Sequence, residues 1–221
     1  MGGITRLSSV DWPGELAATV FCQGCGWDCA YCHNPSLRPA QAENLLNWPT
    51  IFEFFEKRRG LLDAVVFSGG DPLVQPALGE AITKVKALGF KIGLHTGGIL
   101  PTRFREVLPL LDWVGFDVKA PFDRYEPTTG VARSGEAALE SLHALLASGV
   151  AYEVRTTVHP ALLPLEELLT LREALLALGV THYAVQRFRT EGARADHLPP
   201  AALPYPLPDD FAQGFAHFEL R

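Results

Sequence analysis

Six short apolar, β-branched runs alternate with longer segments of helical period along this chain, and that rhythm leaves few folds open to it. The runs are LAATVFCQ (16–23), LDAVVFSG (62–69), KIGLHTG (91–97), WVGFDVKA (113–120), YEVRTTVH (152–159) and HYAVQRF (182–188). Between them, helical periodicity marks 50–59, 76–88, 102–111, 135–148 and 165–178. Gly60, Gly89, Gly149 and Gly179 follow four of these segments directly, where a helix commonly stops. Continuous apolar strands that each hand on to a helix indicate parallel βαβ units. The prediction is an α/β fold, either a partial (β/α)6 barrel or an open doubly wound sheet. Both architectures gather functional residues on the loops after the strands.

A chain of 221 residues suits one domain, with 1–190 as its core and a proline-rich tail over 191–221. The tail reads as a lid or packing arm, and DDFAQGFAHFEL (209–220) as a short helix capped by Asp209 or Asp210. A net charge of −6 argues against nucleic acid or an anionic membrane as partner. The first residues lack a charged segment followed by an apolar run, and no stretch approaches the ~20 apolar residues of a membrane span. MGGITR loosely fits a myristoylation pattern without the second signal that stable anchoring needs. A cytoplasmic location is expected.

All four cysteines fall within FCQGCGWDCAYCHNP (21–35), in the loop after the first strand. They are too local to staple a domain of this size as disulfides, so a metal or redox site is the better reading. As four ligands, C-x2-C-x3-C-x2-C is cramped for two zinc knuckles and is out of order for a ferredoxin loop. As three, Cys25-x3-Cys29-x2-Cys32 suits a [4Fe–4S] cubane with one iron left open, and an open coordination position marks a reactive centre. Cys22 lies on the strand itself and reads as a buried small hydrophobe. The other unusual residues also end strands: SGGDP (68–72), HTGG (95–98), DVK (117–119) and Arg155.

The spacing Cys25-x3-Cys29-x-Tyr31-Cys32 resembles the signature of the radical S-adenosylmethionine (SAM) superfamily. TVFCQGCGWDCAYCHNP, SSVDWPG (8–14), FSGGDP, DVKAPFDRY and TTG narrow the resemblance to activating enzymes of glycyl-radical enzymes, above all the anaerobic ribonucleoside-triphosphate reductase activating proteins. The resemblance runs from residue 5 to about 190. It implies a radical SAM barrel in which Cys25, Cys29 and Cys32 hold the cluster and SAM chelates the open iron. Reductive cleavage of SAM then gives a radical that takes a hydrogen from a glycine of a partner enzyme. It also implies a flavodoxin- or ferredoxin-like electron donor.

By the same resemblance Tyr31, Gly69, Gly70, Asp71, Thr96, Asp117, Lys119 and Arg155 surround SAM. Paired glycines can bring carbonyls close to an ammonium, and Arg155 offers a fork for a carboxylate. Asp117 and Lys119 share one face of a strand. Asp71 replaces a more usual glutamate. His95 stands where relatives carry an aspartate that helps hold a monovalent cation, which leaves that cation site open here. His33 reads as a hydrogen bond near the cluster or a loop turn. Gln186 reads as a contact to adenine or to the partner, or equally as a core amide. Two other readings stay open: a radical SAM enzyme for a small molecule or peptide, and a zinc-binding module.

Overall fold

In the computed structural model, which describes residues 1–193, 198 and 206–221, one sheet of eight strands runs in sequence order. The strands are β1 (Gly3–Ser8), β2 (Ala17–Cys22), β3 (Ala64–Gly69), β4 (Lys91–Thr96), β5 (Trp113–Asp117), β6 (Ala151–Val158), β7 (His182–Arg187) and β8 (His217–Leu220). Only β1 is antiparallel to its neighbour. β2 to β7 are the six strands read from the alternation. The helices that follow them are α1 (Trp48–Glu56), α2 (Leu78–Lys86), α3 (Pro101–Val107), α4 (Glu126–Thr129), α5 (Ser134–Ser148) and α6 (Leu165–Ala177). A partial (β/α)6 barrel with two additional edge strands results. No helix among the described residues is long and apolar enough to cross a membrane.

Local chemistry fixes where the helices begin and end. Asn47 caps α1 by accepting from the Thr50 N–H at 2.9 Å, with Pro49 in the first turn. Gly149 ends α5 at a φ of 74°, a conformation that costs glycine nothing. Alternating side chains then give the sheet two different faces. The outer face meets the helices in the main core, for example through Val65, Phe67, Ile92, Leu94 and Phe116. The inner face carries a separate small cluster of Trp12, Ala17, Ala64, Val66 and Trp113. Trp12, from the loop between β1 and β2, stacks on Trp113 with centroids 5.3 Å apart and forms the barrel floor.

Two elements depart from the sequence reading. β1 has too little apolar alternation to stand out, and its pairing with β2 creates it. The end of the tail is turns and a strand rather than a helix. Phe211, Phe215 and Phe218 repeat at helical spacing, but Gly214 has a φ of 95° and breaks that register. The three rings collect around Tyr183 of β7 instead, at 5.1–6.4 Å, and Phe218 arrives there as part of β8. Arg172 of α6 holds the turn by donating to the Phe211 carbonyl at 2.6 Å. This part of the tail therefore covers the outside of the sheet. Of the 191–221 tail read as a lid or packing arm, residues 194–197 and 199–205 lie outside the described residues.

Candidate active site

A cavity of about 220 Å³ opens above the floor, at the ends of the parallel strands. The eleven residues named from the sequence all line it. Cys25, Cys29, Tyr31 and Cys32 come from the loop after β2, and Gly69, Gly70 and Asp71 from the end of β3. Thr96 ends β4, Asp117 and Lys119 end β5, and Arg155 stands on β6. His33, His95 and Gln186 join them. Cys22 does not; it is fully buried at the end of β2. Trp27, Ser68, Ile99 and Thr157 also line the cavity, and neither their residue type nor their spacing set them apart.

The cysteine loop is held by its backbone. Gly24 N–H donates to the Leu37 carbonyl at 2.7 Å and Cys25 N–H to the Arg38 carbonyl at 3.0 Å. Asp28 and Ala30 N–H groups donate to the carbonyls of Thr129 and Thr128 at 2.7 and 3.0 Å. The glycine pair of β3 completes the mounting. Gly70 N–H donates to the Cys22 carbonyl and Asp71 N–H to the Gly24 carbonyl, at 3.0 and 2.9 Å. A Cβ on Gly69 would lie 2.3 Å from the Cys22 nitrogen, and one on Gly70 2.1 Å from the Gly24 oxygen. Both glycines are thus demanded by the approach of two chain segments, before any ligand is considered.

Asp71 is buried and already committed. Its carboxylate accepts from the Leu73 N–H (3.0 Å), the Thr96 hydroxyl (2.8 Å) and the Gly97 N–H (3.0 Å), so it clamps the β3 loop to the β4 loop. Burial pushes its carboxyl up to about 6 in spite of these donors. Burial and then the Asp71 charge push the Cys25 thiol up to about 12, and burial raises Cys29 too. Lys119 sits 3.3 Å from Asp117 and 5.7 Å from the centre of the Tyr31 ring. Burial opposes its charge, but Tyr31, Asp117 and Cys29 together hold it well above its ordinary value. His33, lowered by burial, lies 3.1 Å from the Arg189 carbonyl and ties the cysteine loop to the segment after β7.

At the base, His95 Nε2 lies 2.7 Å from the Asp11 carbonyl oxygen. Two acceptors do not approach so closely, so Nε2 carries the hydrogen and Nδ1 accepts from the Ser68 hydroxyl at 3.3 Å. Burial and the Arg155 charge pull His95 down to about 4, which keeps the ring neutral at pH 7. Arg155 Nη1 is 3.2 Å from the same Nε2 and finds no lone pair there. Arg155 Nε donates to Glu153 at 2.8 Å, the guanidinium lies over Trp113 at 5.0 Å, and Nη2 is buried without a partner. Only one of its three nitrogens is therefore satisfied, though the residue is 7% exposed.

Soft thiols, a guanidinium with an unsatisfied Nη2, a part-buried ammonium and an apolar wall of Trp27 and Ile99 make this a place to hold a charged ligand beside residues able to ligate a soft metal. A protein named as a glycyl-radical enzyme activating enzyme, from Methanocaldococcus jannaschii, is 28% identical over 212 residues, covering 92% of this chain and 86% of its own. A pyruvate formate-lyase-activating enzyme of Clostridium pasteurianum is 36% identical over 146 residues, 61% of this chain and 60% of that one. Among solved structures, SuiB of Streptococcus suis bound to S-adenosylmethionine superposes with a TM-score of 0.63 over 77% of this chain and 40% of its own. At 12% identity that likeness speaks for the fold. The family model described as the radical SAM superfamily matches residues 19–175. Its members use a [4Fe–4S] cluster and SAM, and this chain belongs to that superfamily.

Proposed function

We propose that this protein is an activating enzyme that generates a glycyl radical on a partner, and that the partner is the anaerobic ribonucleoside-triphosphate reductase. The observation that carries the reading is one cavity that joins Cys25, Cys29 and Cys32 to the cations Lys119 and Arg155. The named relative that matches over nearly the whole chain supports the activase branch. The cluster, when bound, supplies an electron to the sulfonium of SAM and so the radical that removes hydrogen from the target glycine.

The residues present fit that equipment. No three His, Cys, Asp or Glu side chains among the described residues meet at one ion-sized point. A cubane instead asks for separated thiols, one to an iron. Cys25, Cys29 and Cys32 are its ligands in this reading, and Cys22 is not. Cys25 and Cys29 must give up protons that burial holds on them, so loading the site releases acid. Arg155 would offer its Nη groups, of which Nη2 is buried without a partner, to the carboxylate of SAM, and the Gly69–Gly70 carbonyls would accept from its ammonium. Lys119 and Asp117, paired with each other and with Lys119 over the Tyr31 ring, would hold the sulfonium and ribose. Trp27 and Ile99 provide the apolar slot for adenine and keep water out. Asp71 and Thr96 act one step back, by fixing the two loops to each other. A flavodoxin- or ferredoxin-like protein delivers the electron.

Anaerobic reconstitution followed by mixing with SAM, a reductant and the reductase tests the proposal by electron paramagnetic resonance. A glycyl doublet is expected. Cleavage of SAM without a doublet would remove the partner and leave the radical SAM chemistry, whereas a chain that takes up zinc but no iron would remove both.

A further inference from the structure

A second chamber of about 470 Å³ adjoins the first and shares His33, His95, Arg155, Thr157 and Gln186 with it. Its other walls are the two ends of the open sheet. Ser9, Val10, Asp11 and Pro13 come from the loop after β1, and Arg187, Arg189 and Arg221 from the β7 and β8 side. The chamber thus lies between these edges and beside the cavity that holds the thiols.

The chamber's charge runs against that of the molecule. The chain carries a net −6, yet four arginines line this one opening with a single acid, Asp11. The Asp11 carboxylate is taken up by the Thr19 hydroxyl at 2.7 Å. Behind the wall, buried Glu153 is shared between Arg155 and Arg221, and Glu219 accepts from Arg221 at 3.1 Å. Arg187 and Arg189 have no ion pair among the described residues.

We propose that this chamber is a subsite for a carboxylate carried by the substrate, recognised by Arg187 and Arg189 at the entrance, while Arg155 stays with SAM. Planar forks match a carboxylate in geometry and charge. The proposal rests on the activase reading for what enters, an acidic residue near the target glycine, but the charge of the wall is independent of that reading. A free dicarboxylate would offer the same chemistry.

Calorimetry on the full, anaerobically reconstituted chain decides the matter. The probes are two acetylated pentapeptide amides that differ only in glutamate against glutamine beside a central glycine, and glutarate alone. The glutamate peptide should bind roughly tenfold tighter than its neutral twin, and the double variant R187A/R189A should remove that advantage. Glutarate binding with the same arginine dependence, and no peptide binding, would support the subsite and overturn a polypeptide as the substrate. Equal affinity for the two peptides with no glutarate binding, or binding indifferent to the double variant, would overturn the subsite. Should the double variant lose its circular dichroism, R189Q and the weakening of the glutamate peptide at raised salt measure the same charge dependence. Loss of charge discrimination leaves the glycyl-doublet experiment untouched, so the two readings fail separately.

Discussion

The four thiols divide by position. Changing Cys25, Cys29 or Cys32 to alanine should each abolish bound iron after anaerobic reconstitution, while Cys22→Ala should keep it; iron per chain and the visible absorption check this. His95 and Asp71 make a second prediction, for the metal-free chain. His95 falls from 6.5 to about 4 on folding, so its contribution to stability is present above pH 6.5 and is lost as pH falls towards 4. Asp71 rises from 3.8 to about 6, so its contribution is present below pH 3.8 and is lost as pH rises through 6. Each is worth about 3 kcal/mol at full extent, and in the shared window they oppose each other. Relative to the parent, Asp71→Asn should therefore lose stability between pH 6.5 and 4.5 and His95→Gln should gain it. Urea midpoints at the two pH values measure both, and slopes of the same sign would refute the assignment.

At the level of elements, the glycine turn after β3 is the most exacting joint. Gly69 has a φ of 118° and no room for a Cβ beside the Cys22 backbone. Gly69→Ala should cost about 3 kcal/mol and lower the urea midpoint even without a cluster, because strain and crowding act on the chain itself. The sequence announced this turn as a ligand cradle, since a GG pair beside a cysteine loop looks the same for either purpose. The parallel strands were readable because each holds a short β-branched or apolar stretch with buried residues on both faces. β1 and β8 were not, because an edge strand owes its existence to a neighbour, and the phenylalanines of the tail imitate a helix until Gly214 interrupts them. In the cavity, the cysteines, glycines and charges stood out by type and spacing. Trp27, Ile99 and Thr157 are ordinary residues whose importance comes only from where the loops carry them.

For the whole molecule, the inner floor matters more than its size suggests. Trp12 fills the barrel base against Trp113, Val66 and Gly93, and Trp113 in turn carries the guanidinium of Arg155. Trp12→Ala should cost about 3–5 kcal/mol in a denaturant melt. It should also weaken SAM binding in the reconstituted protein, since the arginine above loses its support. β1 and β8 are the two edges of the sheet and do not pair with each other. Among the described residues the barrel wall is therefore open along one side, and under the proposed activity the visiting loop would be its missing stave. Closure would then coincide with arrival, and the proposed chemistry would be gated by the fit of the guest.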